Sequence, residues 1–124
     1  MNNPYEQYKE KSILTMTAGE MVIKLYDAVI MQGNRAIIAI EENDFETANK
    51  ALIRIEDIFS YLSTTLNTEY EIGKNLEYLY DYFYRETVNA NIKKDTEFIK
   101  KMIDMIAGLR DAYAEAEKIA RQRR

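Results

Sequence analysis

The sequence predicts an all-α protein, an antiparallel up-down-up-down four-helix bundle with an N-terminal cap segment. In four separate segments, apolar residues recur at steps of three and four, which places them on one face of a helix. Short polar connections separate these segments, and long helices joined by short links pack as antiparallel neighbours. The chain has 124 residues with only one Pro and four Gly, too few for a turn-rich β fold.

We expect helices at about residues 18–41, 45–66, 69–92 and 96–120, within a bundle formed by residues 17–124. The clearest apolar stripe, in the second segment, comprises Phe45, Ala48, Leu52, Ile55, Phe59, Leu62 and Leu66. The stripe of the third segment comprises Ile72, Leu76, Leu79, Phe83, Thr87 and Ala90. That of the fourth comprises Ile99, Met102, Ile106, Leu109, Tyr113, Ala116 and Ala120. Helix starts are predicted from N-cap residues: Thr17 and Thr68 in capping boxes, Asn43 or Asp44, and Asp95.

One aromatic stretch, "LEYLYDYFYRE" at residues 76–86, has tyrosines at every second position, which is the period of a strand. At 100° per residue on a helix, however, Tyr80 and Phe83 fall on the core stripe. Tyr78 and Tyr82 then fall on nearly the opposite side. The stretch is therefore predicted to be helical, with two aromatic rings more than the core needs.

The same projection places Ile53 and Tyr61 of the second helix outside its core stripe. We expect Ile53, Tyr61, Tyr78 and Tyr82 to form one apolar patch across the second and third helices. Exposed apolar patches of several hundred Å² often mark a binding surface. The alternative is that these are single solvated side chains, which are common on protein surfaces.

Composition argues against several classes of function. The absence of His and Cys removes the usual nucleophile pairs and zinc ligand sets, so no catalytic residue, metal site or cofactor is predicted and the protein is not expected to be an enzyme. A net charge of -4 argues against nucleic acid as a partner. No apolar run approaches the roughly 20 residues that span a bilayer, which argues against membrane insertion. The polar start of the chain predicts a cytoplasmic protein.

Residues 1–16 have weak periodicity and carry Tyr5, Tyr8, Ile13 and Leu14. This segment is either a disordered tail or a partly mobile cap that docks on the bundle. Burial of a tyrosine-sized side chain returns about 1.5–3 kcal/mol, while ordering the backbone costs about 1–2 kcal/mol per residue. This near balance is what a displaceable cap requires.

Motifs along the whole chain resemble the FliS family of flagellin-specific secretion chaperones. The first group comprises Asn3-Pro4-Tyr5, Tyr8, Thr17 to Glu20 and Leu25-Tyr26-Asp27. The second comprises Leu66-Asn67, Gly73 to Leu76, Leu79 to Tyr82 and Ala90-Asn91. A third, Leu109 to Tyr113, has Tyr113 where the family often has Trp.

The resemblance implies a cytosolic chaperone that binds the disordered C-terminal segment of flagellin. Such a chaperone prevents premature polymerisation and keeps flagellin competent for flagellar type III export, and its N-terminal segment is a cap that the partner displaces. Tyr5, Tyr8 and Tyr82 carry over from the motifs as partner-binding residues, and export components are a further expected partner. The alternative is a self-associating helical-bundle adaptor that binds a different helical partner and uses the predicted patch for a homodimer.

Overall fold

The computed structural model describes residues 16–123, so the predictions for Tyr5, Tyr8, Ile13 and Leu14 lie outside the described residues. The described part consists of four α-helices and contains no strand. They are α1 (Ala18–Glu41), α2 (Phe45–Thr64), α3 (Glu71–Lys93) and α4 (Thr96–Gln122). The all-α bundle fold predicted from the periodicity is confirmed.

Side-chain caps define three of the helix starts. The Thr17 side chain accepts a hydrogen bond from the Glu20 backbone N–H at 3.1 Å. The Asp44 carboxylate accepts from the Thr47 N–H at 3.2 Å, and the Asp95 carboxylate accepts from two backbone N–H groups of the first turn of α4. These three predicted caps are confirmed, and each satisfies donors that the helix itself leaves without partners.

The start of α3 differs from the prediction. Its N-cap is Tyr70, with no side-chain cap hydrogen bond, so the capping box predicted at Thr68 is wrong. The Asn67 side chain instead accepts from the Glu69 N–H at 3.0 Å. The Asn67 carbonyl accepts from the Tyr70 N–H at 3.4 Å. These bonds fold residues 67–70 into a separate turn, so that α3 begins only at Glu71.

The core lies among all four helices, but the helices do not pack equally. α1 packs closely on α2 and α4, α2 also packs on α3, and the α3–α4 interface is much sparser. The largest fully buried side chains are Tyr26, Val29, Leu52, Ile55, Phe59, Leu62, Tyr80, Phe83, Thr87, Ile99, Met102 and Ile106. The rings of Phe59 and Phe83 stack with centroids 5.2 Å apart. The predicted inward orientation of Tyr80 and Phe83 is thus confirmed.

A partly exposed ion pair also joins α1 to α4. The Arg110 guanidinium lies 3.1 Å from the Asp27 carboxylate, and Arg110 also pairs with Asp111 at 3.2 Å. Hydrogen bonds to both carboxylates raise the pKa of Arg110. Two residues of the quoted motifs, Asp27 and Arg110, therefore stabilise the α1–α4 interface.

Two large apolar residues predicted on core stripes are exposed. Ile72 is 71% exposed, and Phe45, the first residue of α2, is 48% exposed. Ile72 lies in the first turn of α3, where the interface with α4 is open. The stripe correctly identifies the face of α3 that points towards the bundle. In the first turn, however, α4 does not cover that face.

Candidate partner-binding surface

The sparse α3–α4 interface contains an apolar groove of about 480 Å³, which we call the α3/α4 groove. It lies between the beginning of α3 and the C-terminal half of α4. Its lining residues are Thr65, Leu66, Asn67, Tyr70, Ile72, Gly73, Leu76, Leu109, Ala112, Tyr113 and Ala116. An uncovered groove with apolar walls is suited to the apolar face of an added polypeptide segment.

Small residues account for the width of the groove. α4 contributes Ala112 and Ala116, both exposed, which leave room above the helix. On the opposite wall, a Cβ at Gly73 would lie 2.0 Å from the Asn67 carbonyl oxygen. Glycine at position 73 therefore allows the turn at residues 67–70 to cross directly over α3. This crossing places Asn67 and Tyr70 in the wall of the groove.

A second apolar groove, of about 380 Å³, adjoins the first at the same end of the bundle. We call it the α1/α2 end groove. Its lining residues are Met16, Thr17, Ala18, Gly19, Met21, Val22, Leu25, Tyr61, Leu62, Thr65, Leu66 and Tyr113. Thr65, Leu66 and Tyr113 line both grooves. The two grooves are therefore adjoining parts of one apolar surface.

A tyrosine cluster supports this surface from inside the bundle. The ring of Tyr113 packs edge-on against Tyr26, with centroids 5.5 Å apart. The Tyr26 hydroxyl is hydrogen-bonded to the Tyr80 hydroxyl. Each of these buried hydroxyls therefore has a hydrogen-bond partner inside the core. Burial, followed by the hydrogen bond to Tyr80, raises the pKa of Tyr26. Burial is also the largest cause that raises the pKa of Tyr80 to about 12.

This cluster predicts a loss of stability in alkali. The unfolded chain releases tyrosine protons near pH 10, while the folded chain retains those of Tyr26 and Tyr80. The contribution of these two groups to the free energy of unfolding is thus fully present below about pH 10. It is lost as the pH rises towards their raised pKa values. We expect the melting temperature to fall between about pH 10 and pH 12. Differential scanning calorimetry should show a smaller fall in the double variant Tyr26→Phe/Tyr80→Phe; an equal fall would contradict the assignment.

The four residues predicted to form one patch lie on different parts of the bundle. Tyr61, 51% exposed, lines the α1/α2 end groove. Tyr78, 74% exposed, lies beside a cleft between α2 and α3, and Ile53, 45% exposed, lies at a groove between α1 and α2. The exposure predicted for these three is confirmed, but the single patch is wrong.

Tyr82 does not face away from the bundle. It is half-buried, and its ring contacts Phe83 and Phe98 with centroids 5.6 Å and 6.3 Å away. The projection treats α3 as having one buried face, whereas Phe98 of α4 covers its flank. The prediction that Tyr82 is exposed opposite the core is therefore wrong.

The contrast between Tyr82 and Tyr78 can be tested directly. Tyr82→Glu places a charge against the rings of Phe83 and Phe98, and we expect it to lower the free energy of unfolding by about 1–3 kcal/mol. Tyr78→Glu, the matched change on an exposed side chain, should change it by no more than about 0.5 kcal/mol. Urea unfolding followed by circular dichroism measures both. Equal losses in the two variants would contradict the placement of these rings.

Two other kinds of site are not found in residues 16–123. No group of three or more His, Cys, Asp or Glu side chains there could hold a metal ion. In the same range, no helix is both long enough and apolar enough to cross a membrane.

Sequence reasoning missed the α3/α4 groove. The apolar periodicity assigns Ile72 and Leu76 to the core stripe of α3. It assigns Tyr113 and Ala116 to the core stripe of α4. The available signal was the run of small residues in α4, at Gly108, Ala112 and Ala116. Small side chains on α4 cover less of the apolar face of the neighbouring helix α3 than large ones would.

Four antiparallel helices that leave an apolar surface uncovered define a helical-bundle module suited to binding another polypeptide. Residues 1–120 match the family model described as flagellar protein FliS. The chain belongs to the FliS family of flagellar secretion chaperones.

Individual relatives agree with this membership. The chain is 36% identical over 124 residues to the flagellar secretion chaperone FliS of Bacillus subtilis strain 168, covering 100% of this chain and 93% of the relative. It is 26% identical over 109 residues to that of Salmonella typhimurium, covering 86% and 81%. A crystal structure of a bacterial flagellar chaperone has the same fold, with a TM-score of 0.78 at 19% identity, covering 92% of this chain and 94% of that one.

Proposed function

We propose that this protein is a cytoplasmic, non-enzymatic chaperone that binds the disordered C-terminal segment of flagellin. It thereby prevents premature polymerisation and keeps flagellin competent for flagellar type III export. Membership of a flagellar secretion chaperone family supports the biological setting. The observation that carries the proposal is the uncovered apolar surface formed by the α3/α4 groove and the α1/α2 end groove.

The groove geometry suits an amphipathic segment. A helix that presents apolar residues at steps of three and four can place them against Leu76, Leu109 and Ala116, in the helix-in-groove mode. A client that is disordered when free must be ordered on binding, which offsets part of the burial energy. The resulting moderate affinity suits a chaperone that must release its client to the export machinery. Holding requires no chemical step.

The N-terminal segment remains our proposal for the cap. Tyr5, Tyr8, Ile13 and Leu14 would occupy the apolar surface when flagellin is absent. Met16, the first described residue, lines the α1/α2 end groove. The segment that precedes it therefore joins the bundle at the edge of the surface that it would cover.

The partner-binding roles of four further residues are also proposals. Tyr61 has the most direct support because it lines the α1/α2 end groove. Ile53 and Tyr78 are exposed elsewhere and would contact parts of the client that extend beyond the two apolar grooves. Tyr82, which is half-buried, would contribute only the edge of its ring.

Co-expression with the flagellin of the same organism tests the proposal. We expect a stable complex in size-exclusion chromatography, and we expect deletion of the flagellin C-terminal segment to abolish it. Failure to form a complex, or a complex unaffected by the deletion, would refute the proposal. Light scattering of the chaperone alone over a range of concentrations tests the self-associating adaptor, which requires a mass that rises with concentration.

A further inference from the structure

A third groove, between α1 and α2, has a different chemical character. Its volume is about 510 Å³, and we call it the α1/α2 basic groove. Its lining residues are Gln32, Arg35, Thr47, Lys50, Ala51, Ile53, Arg54 and Asp57. It shares no lining residue with the two apolar grooves. It is therefore a distinct groove, although it includes Ile53, which we propose as a contact of the client.

The buried residue Gln32 is the first reason to regard this groove as a site. Only 7% of Gln32 is exposed, and its side chain forms no hydrogen bond with any residue from 16 to 123. Within that range, no fully enclosed side-chain nitrogen or oxygen lacks a partner. Gln32 is also one of the residues that line the groove. A largely buried amide is normally hydrogen-bonded, and a ligand that fills the groove can supply a partner for the Gln32 amide.

The charge around Gln32 is the second reason. Arg35, Lys50 and Arg54 place three cations on the groove, against the single carboxylate of Asp57. Lys50 pairs with Glu46 at 3.4 Å, but both side chains are largely exposed and the pair is weak. Arg35 and Arg54 form no ion pair with the other described residues. An excess of positive charge on a protein of net charge -4 favours an anionic ligand.

We propose that the α1/α2 basic groove binds an acidic segment of another polypeptide. The guanidinium groups of Arg35 and Arg54 pair with its carboxylates, because their forked N–H donors match carboxylate oxygens. The Gln32 amide pairs with a backbone peptide group of the ligand. A primary amide offers a donor and an acceptor together, as a peptide group does, whereas a simple anion would use the donor alone. The proposal does not depend on the identity of the client at the apolar surface.

The test uses the full chain and a fluorescein-labelled glutamate-rich peptide as the probe. Fluorescence anisotropy should show binding that weakens as salt rises, and the peptide with glutamine in place of glutamate should not bind. The double variant Arg35→Gln/Arg54→Gln should bind at least about tenfold more weakly, because hydrogen bonds to charged groups are lost. The Gln32 side-chain NH₂ resonances should shift in ¹H–¹⁵N NMR spectra when the peptide is added.

A matched control distinguishes the effect of the cations in the groove from the effect of the overall charge of the protein. Lys100→Gln/Lys101→Gln removes two cations from exposed positions on α4 that do not line the groove. It should change the affinity by less than about twofold. An equal loss in the two double variants, or unshifted Gln32 resonances at saturation, would refute the proposal. Displacement of the peptide by inorganic phosphate, but not by sodium chloride at the same ionic strength, would also overturn it in favour of a small-anion site.

Discussion

The variant Ala112→Glu is expected to bind the flagellin C-terminal segment at least about 100-fold more weakly than the native protein. Ala112 is exposed and lines the α3/α4 groove. A carboxylate there would be taken out of water by an apolar client without a cation to pair with it, which costs about 3–5 kcal/mol. Isothermal titration calorimetry with the segment fused to a soluble carrier measures the change.

Ala114→Glu is the control. Ala114 is also an exposed alanine of α4, but it does not line the α3/α4 groove. The change adds the same charge and should alter the affinity by less than about threefold. Since neither alanine is buried, the melting temperatures of both variants should stay close to that of the native protein. Native affinity in Ala112→Glu, or equal losses in the two variants, would show that the client does not occupy the groove.

The variant Gly73→Ala is expected to lower the free energy of unfolding by about 2–3 kcal/mol, as overpacking does. The added Cβ would lie 2.0 Å from the Asn67 carbonyl oxygen and 2.8 Å from its carbon. These are backbone atoms, so a change of side-chain rotamer cannot relieve the clash. The turn at residues 67–70 must move away from α3, and the wall of the α3/α4 groove must move with it. Urea unfolding measures the loss.

Gly108→Ala is the matched change on α4. Apart from its chain neighbours and the local backbone of α4, no described atom lies within 4 Å of the Cβ that it would add. Glycine in a helix interior costs about 0.5–1 kcal/mol relative to alanine. We therefore expect this variant to be more stable than the native protein by about that amount. A loss at Gly108, or an unchanged stability at Gly73, would contradict the observed packing.

Periodicity was sufficient to predict the interior of the bundle. The core is apolar and helical, so the steps of three and four that place Phe59, Phe83 and Ile106 on their stripes also decide their burial. The caps at Thr17, Asp44 and Asp95 were predictable for a related reason. Each depends on a side chain and a backbone N–H two or three residues away.

The grooves were not predictable from the same pattern. A stripe shows which direction along a helix is apolar, but it does not show whether a neighbouring helix covers that direction. Ile72 lies on the stripe of α3 and is exposed, because the open α3/α4 groove leaves it uncovered. Tyr82 lies off the stripe and is half-buried, because Phe98 reaches it from α4. Both outcomes depend on the spacing between two helices, which is a tertiary property.

The hydrogen bond between the Tyr26 and Tyr80 hydroxyls bears on the register of the bundle. It joins α1 to α3, which lie diagonally across the core and do not pack side by side as neighbouring helices do. Apolar packing has little directional preference, so a helix displaced along its axis by one turn, about 5.4 Å, could bury much the same surface. Such a displacement would separate the two hydroxyls and break the hydrogen bond between them. The bond therefore discriminates between axial alignments that apolar burial alone would leave close in free energy.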